Sequence, residues 1–132
     1  MNASEEVLPR WIKVPVNESR SSAGAYLLAS HTDADWARYG KWCVFREHLV
    51  SSGGSIDITD ERVLRSLSFN LSFSLQKMLE FIEDLESCGL VEREDGIVFN
   101  AEIVQSIQNY RNQVERNQRN GSKGGRPRIK AN

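Results

Sequence analysis

Residues 85–98 read LESCGLVEREDGIV, and this stretch governs the prediction of the fold. Leu85 closes an apolar stripe at helical spacing, and Gly89 follows where a helix commonly ends on a residue in the left-handed conformation. Asp95-Gly96 then separates two runs of strand character, 90–94 and 97–100. This dipeptide favours a tight hairpin because the turn requires positive φ at both central residues. The stretch therefore predicts a helix that leads directly into a two-stranded β-hairpin.

Three helices are predicted before this hairpin. The first begins near Thr32, the second begins at residues 59–61 and breaks at 68–71, and the third is capped by Ser72 or Ser74. Large apolar residues follow each start at helical spacing, which predicts one buried face per helix. These faces are Trp36, Tyr39, Trp42, Phe45 and Leu49 in the first helix, Val63, Leu64 and Leu67 in the second, and Leu75, Met78, Leu79, Ile82 and Leu85 in the third.

Two short strands and a final helix complete the predicted elements. Alternation at 55–58 predicts a strand between the first two helices, and weaker alternation at 11–14 predicts an edge strand. The last helix runs from 101 to about 117, with its apolar side at Ile103, Val104, Ile107, Tyr110 and Val114. The predicted fold class is mostly α with a small β-hairpin. It is a winged helix-turn-helix with an additional C-terminal helix and a disordered basic tail.

The charge of the chain is divided between two segments. Residues 1–115 carry eleven Lys and Arg against eighteen Asp and Glu, a net charge of −7, whereas residues 116–132 carry six basic residues and no acidic one. We predict a winged-helix domain over 1–115, with its core at about 11–115, and a separate tail over 116–132. The tail is expected to be disordered, because Gly, Ser and Pro beside a single large apolar residue cannot bury a core. An acidic body with a basic arm is typical of a chain that meets nucleic acid.

Composition excludes several classes of protein. The chain has 39% apolar and 27% charged residues, which is typical of a soluble globular domain. We expect no membrane span and no secretory leader, because no apolar run approaches about 20 residues and the start is acidic. We expect a reducing, cytoplasmic location, because the two Cys are typical of small buried residues and not of a disulfide. Cys43 and Cys88 lie in helical patterns without metal-ligand spacing. No catalytic motif or phosphate-binding loop is present, so we predict neither an enzyme nor a metal or other cofactor.

Several short motifs are spread over residues 11–130. They are WIK at 11–13, ARYGKW at 37–42, GGSIDI at 53–58, GLV at 89–91 and NGSKGGRPR at 120–128. In these motifs the chain resembles the N-terminal domain of bacteriophage and prophage replication proteins of the replisome-organiser type, including uncharacterised prophage replication families. The resemblance implies a winged-helix domain that binds DNA at a phage origin or helps to recruit helicase and primosome proteins.

Candidate DNA contacts fall into three groups. In a winged helix the third helix is the one that enters the major groove of DNA. Residues 72–88 carry one Lys and four acidic residues, which phosphates would repel, so only the start of this helix is suited to contact DNA. The candidates at this start are Asn70, Ser72, Ser74, Gln76 and Lys77. In the wing, Arg93 is the single base among acidic neighbours and is a weak candidate. The tail supplies Arg116, Arg119, Lys123, Arg126, Arg128 and Lys130. Its GRPR at 125–128 is similar to the core of AT-hook peptides, which lie in the minor groove.

The leading hypothesis is a DNA-binding module of a phage or prophage replication initiation protein, in which the tail adds non-specific nucleic-acid affinity. One alternative is a dimeric winged-helix transcription regulator, a homodimer paired through its terminal helices on a palindromic site. The other is a protein-interaction adaptor. Its acidic third helix and wing would dock a replication protein, such as a helicase or loader, and its body would not contact DNA.

Overall fold

The structure is a computed structural model that describes residues 7–12, 14, 17, 18, 21, 24 and 36–122. Within these residues the elements follow in the order α1 (Trp36–Ser51), β1 (Ser55–Asp57), α2 (Glu61–Asn70), α3 (Leu75–Ser87), β2 (Glu92–Glu94), β3 (Ile97–Phe99) and α4 (Ala101–Ser122). The fold is mostly helical with a small antiparallel sheet, in an order compatible with the predicted winged helix. The predicted start of the first helix near Thr32 lies outside the described residues.

The three strands form one antiparallel sheet in the order β1-β3-β2. The predicted hairpin is confirmed: Asp95 and Gly96 have φ of 51° and 78°, and β2 pairs with β3 so that Arg93 lies opposite Val98. Strand β1 pairs with the other edge of β3 and places Ile56 opposite the same Val98. This second pairing was not predicted. It ties the segment that leads into α2 to the β2–β3 hairpin.

Side-chain caps define the starts of α2 and α3. At the start of α2, Asp60 Oδ1 accepts a hydrogen bond from the backbone N–H of Arg62 at 2.9 Å. At the start of α3, Ser74 Oγ accepts from the backbone N–H of Lys77 at 3.2 Å, which selects Ser74 over Ser72 as the cap. Gly89 has φ of 85° just beyond α3, as predicted for a glycine that ends a helix.

The predicted break of the second helix at 68–71 is wrong, because α2 continues through Asn70. Ser68 stays helical, since its Oγ donates to the Leu64 carbonyl at 2.8 Å and its hydroxyl is thereby satisfied within the helix. Leu71, which caps α2, is buried in the core. Asn70 therefore ends α2 and does not begin α3.

The core is formed by apolar side chains from all the described elements except β2. Its buried members are Trp42, Phe45, Leu49, Ile56, Leu67, Leu71, Met78, Phe81, Ile82, Leu85, Leu90, Val91, Val98, Ile103 and Ile107. Most of the predicted helical faces are thus confirmed. The predicted burial of Trp36 is wrong, since it is 63% exposed, and Leu75 and Leu79 are also exposed. These three lie at the ends or edges of their helical stripes, where neighbouring elements do not cover them.

One carboxylate attaches the N-terminal residues to α1. Glu18 accepts hydrogen bonds from Tyr39 Oη at 2.7 Å, from Arg46 at 2.5 and 2.7 Å, and from Trp42 Nε1 at 3.3 Å. The Glu18 and Arg46 side chains are only 11% and 14% exposed. The predicted edge strand at 11–14 is wrong at the positions that the structure describes, because none of them lies in a strand.

The last helix is longer than predicted. Asn100 Oδ1 accepts from the backbone N–H of Ile103 at 3.0 Å at its start, and α4 then runs to Ser122. Disorder beginning at residue 116 is therefore wrong for 116–122. No Pro interrupts these residues, and a helix already formed is extended at little cost by Arg and Gln, whereas Asn and Gly121 are weaker helix formers. Residues 123–132 of the predicted tail lie outside the described residues.

Candidate nucleic-acid interface

The five polar residues predicted at the start of the third helix all lie at the α2–α3 junction and are exposed. Asn70 is the last residue of α2, Ser72 lies in the turn with φ of 58°, and Ser74 caps α3. Gln76 and Lys77 occupy the first turn of α3. The structure thus brings them together at one corner, although Asn70 and Ser72 precede the helix to which they were assigned.

Several groups at this corner are already engaged. Ser74 Oγ holds the backbone N–H of Lys77. Glu80 lies 3.4 Å from Gln76 Nε2 and 3.7 Å from Lys77 Nζ, so one carboxylate meets both side chains. These contacts are exposed and weak, so a phosphate could replace them. The net charge that this turn of α3 offers to DNA is nevertheless low.

Lys41 of α1 supports the corner from behind, and the sequence analysis missed it. Its Nζ donates to the Leu71 carbonyl at 2.5 Å and lies 4.1 Å from the centre of the Phe73 ring. The carbonyl that Lys41 binds terminates α2, where a cation interacts favourably with the helix dipole. Lys41 therefore orients the α2–α3 turn and adds positive charge beneath it.

The β2–β3 hairpin, which is the predicted wing, does not offer a basic tip. Arg93 is half-buried, and its Nε lies 3.5 Å from Glu86 Oε1 of α3. Arg93 Nε and Nη2 are buried without a hydrogen-bond partner within the described residues. The exposed residues around it are acidic: Glu83, Glu86, Glu92, Glu94 and Asp95. The predicted contact of Arg93 with DNA therefore gains no support from its position against α3.

The outer face of α2 carries a group that the sequence analysis did not identify. Arg62, Arg65 and Phe69 are all exposed, and Phe69 is 85% exposed. Their spacing places them on one side of the helix, opposite the buried Leu67. The signal was present as an i, i+3, i+7 pattern, but the predicted break at 68–71 removed Phe69 from the helix.

The basic C-terminal segment begins on an exposed helix. Beyond Ile107, its last buried residue, α4 continues for about four turns. Arg116 and Arg119 are exposed on this extension. The other four predicted tail contacts, Lys123, Arg126, Arg128 and Lys130, lie outside the described residues. On the apolar side of this terminal helix, through which the predicted homodimer would pair, Ile107 is buried in the monomer core, whereas Tyr110 is exposed.

The described part of the chain also contains an open cavity of about 990 Å³ between the N-terminal residues, α1, β2 and the start of α4. Glu18 and Arg46 line it. Burial, together with the Glu18 carboxylate, raises the pKa of Tyr39 to about 12. Burial raises the pKa of the Cys43 and Cys88 thiols, so neither is an activated nucleophile.

Within the same residues, no three His, Cys, Asp or Glu side chains are grouped so that they could hold a metal ion. None of the helices that the structure describes is long and apolar enough to cross a membrane. Comparison with protein-family models, curated proteins and solved structures finds no match to this chain. Function is therefore inferred from the residues themselves.

Proposed function

We propose that this protein binds DNA, and that the basic segment beginning on the exposed end of α4 provides most of the affinity. The observation that carries the proposal is the division of charge. Six basic residues and no acidic one follow residue 115, whereas the preceding body has a net charge of −7. Each Lys or Arg that meets a phosphate releases condensed counterions, which is the main source of sequence-independent affinity. The exposure of Arg116 and Arg119 supports this role.

We further propose that the body is a winged helix-turn-helix that orients the chain on the duplex. The capped α2–α3 pair, the following hairpin and the pairing of β1 with β3 support this assignment. In such a fold the N-terminal turn of α3 approaches the major groove. Gln76 and Lys77 are exposed there and suit base edges or phosphates. The acidic remainder of α3 and the wing would be repelled by phosphate, so only this corner approaches closely.

The proposed biological setting is replication initiation of a phage or prophage. This step rests on the resemblance to the N-terminal domains of phage replication proteins, carried by motifs such as ARYGKW at 37–42 and GGSIDI at 53–58. The second of these motifs spans the entry to the sheet and includes Ile56, whose pairing with Val98 joins the wing to the helix-turn-helix. The motif therefore has a structural role in this chain.

A protein-interaction adaptor is the second candidate function. The observation that favours it is the acidic surface of α3 and the wing, beside the exposed Leu75 and Leu79. Apolar residues bordered by carboxylates suit a basic amphipathic segment of a partner. Calorimetric titration with a basic amphipathic peptide tests this function. The adaptor function is supported if the wild type binds the peptide and the double variant Glu83→Gln, Glu94→Gln binds it more weakly. If the wild type does not bind the peptide, docking of a basic amphipathic segment is excluded.

Fluorescence anisotropy of a labelled duplex tests DNA binding. We expect the full chain to bind, and a variant with all six basic residues after 115 changed to Gln to lose most of this affinity. A matched variant that changes the four Arg of this segment to Lys keeps the charge and should retain most of it. An unchanged affinity in the Gln variant would assign binding to the body, and no binding by the wild type would reject the proposal.

A further inference from the structure

We propose that the outer face of α2 binds single-stranded nucleic acid, with Phe69 stacking on an unpaired base and Arg62 and Arg65 contacting the neighbouring phosphates. This inference rests on the proposed function, because it assumes that the protein meets nucleic acid. It adds a second binding surface, on the body, that is separate from the basic segment of α4. We call the exposed side of α2 formed by Arg62, Arg65 and Phe69 the α2 face.

The three residues of the α2 face are aligned by the helix. Positions i, i+3 and i+7 fall within one side of an α-helix, and at 1.5 Å per residue the α2 face is about 10 Å long. The opposite side holds Leu67 in the core, so the orientation of α2 is fixed by burial. Asp60 caps the helix at the start of the α2 face. The side chains are therefore presented from a rigid element, which a specific stacking site requires.

Phe69 is the most exposed of the large apolar side chains that the structure describes, at 85%. Among the described residues, the Phe69 ring has no aromatic or cationic side chain against it, whereas the Phe73 ring contacts Phe81 and Lys41. A polar residue at this position of α2 would keep the helix and avoid exposing an aromatic ring to water. The exposed π-face is suited to a base, because every base can stack on an aromatic side chain irrespective of sequence.

The two arginines supply the charge complementarity. Within the described residues the Arg62 guanidinium has no hydrogen-bond or ion-pair partner, since only its backbone N–H is bonded, to Asp60. Arg65 binds Glu61 at 2.6 Å, but both side chains are about two-thirds exposed. A surface pair of this kind contributes little and is readily exchanged for a phosphate. The α2 face therefore offers two available cations on one side of an aromatic ring.

An unpaired strand fits this arrangement better than a duplex. In a duplex each base is stacked between its neighbours, so a protruding ring reaches a π-face only if a base step is opened, which costs a few kcal/mol. In a single strand the bases are accessible and the phosphates lie beside them. The exposed polar residues Asn70 and Ser72 next to Phe69 supply hydrogen-bonding groups for the edge of the stacked base.

Anisotropy with a labelled oligothymidine of about 15 nucleotides, which covers a typical binding site, tests the α2 face on the full chain. We expect Phe69→Ala to weaken oligothymidine binding about 5- to 150-fold, which corresponds to the loss of one base stack, and to change duplex binding less than about twofold. Phe69→Trp should retain the affinity and show quenching of the added indole fluorescence. Changing both Arg62 and Arg65 to Gln should reduce the magnitude of the negative log–log salt slope for single-strand binding by about 1.4, because each phosphate contact contributes about 0.7.

Trp36→Ala is the matched control, because Trp36 is an exposed aromatic residue on a different helix. It should leave oligothymidine binding unchanged. Circular dichroism melting should show that each variant keeps the wild-type fold, since the altered side chains are exposed. The inference is overturned if Phe69→Ala binds oligothymidine as the wild type does, or if it loses single strand and duplex equally. If the variant of the basic segment loses single-strand binding while Phe69→Ala keeps the wild-type affinity, DNA binding stands and only the α2 face is rejected. If the wild type binds neither nucleic acid, both proposals fail.

Discussion

Removing Arg46 from its largely buried ion pair with Glu18 should destabilise the fold by about 3 kcal/mol. Arg46→Met keeps a long apolar stem but leaves the Glu18 carboxylate buried, with Tyr39 at 2.7 Å and Trp42 at 3.3 Å as its remaining donors. Breaking a buried ion pair by removing one partner costs about 3–5 kcal/mol. The two remaining donors place the expected loss at the lower end of this range.

Thermal unfolding followed by circular dichroism measures this loss. For a chain of 132 residues about 1 kcal/mol corresponds to about 4 °C, because the entropy of unfolding grows with chain length, so Tm should fall by about 12 °C. Arg65→Met is the control, because its pair with Glu61 is largely exposed and should contribute less than about 1 kcal/mol. Adding Glu18→Gln to Arg46→Met should restore part of the stability, since no uncompensated charge is then buried. The reasoning is refuted if the two Arg variants melt within about 2 °C of each other.

Three further predictions concern the turns and titrating groups. Gly96→Ala should destabilise the fold by at least about 1 kcal/mol, because Gly96 has φ of 78° and an added Cβ would lie 2.3 Å from Thr59 Cγ2. A variant Tm equal to that of the wild type would contradict this prediction. Hydrogen bonds from Thr59 lower the pKa of Asp57 in the folded state. The ionised Asp57 carboxylate therefore stabilises the fold above its unfolded pKa of about 3.9, and this stabilisation is lost as pH falls through the lower folded pKa. The Tm difference between wild type and Asp57→Asn should therefore narrow on acidification, and a constant difference would oppose this. Since the pKa of Tyr39 is raised to about 12, stability should be lost as pH rises from 10 to 12, and an absorbance titration should show a late phenol that is missing in Tyr39→Phe.

Local chemistry made much of the fold predictable. The Asp95-Gly96 turn, the end of α3 at Gly89 and a cap at Ser72 or Ser74, of which the structure selects Ser74, were assigned from residues whose backbone preferences are strong and act over a few positions. Helical spacing likewise identified most of the core, including Met78, Ile82 and Leu85 in α3. These signals require no knowledge of distant parts of the chain.

Long-range contacts were not predictable in the same way. The pairing of β1 with β3 joins residues about forty positions apart, and no local signal specifies it. Burial of the apolar stripes depends on which element covers each end, so Trp36 and Leu79 were assigned to the core although they are exposed.

The candidate site shows the same limit. The basic segment was evident from composition. The contact between Arg93 and Glu86, the position of Lys41 behind the α2–α3 turn and the exposure of Phe69 all depend on tertiary packing. The helix extension through 116–122 was missed because composition alone was used to predict disorder, although the segment directly continues a helix.

The salt dependence of duplex binding tests the proposed DNA-binding role most directly. The association constant of the full chain should fall with salt concentration with a log–log slope of about −5 if all six basic residues after 115 contact phosphates. Neutralising Arg116 and Arg119 alone should reduce the magnitude of this slope by about 2, because each contact contributes about 0.9. A slope that these substitutions leave unchanged, or the absence of duplex binding at low salt, would contradict DNA binding through the basic segment of α4.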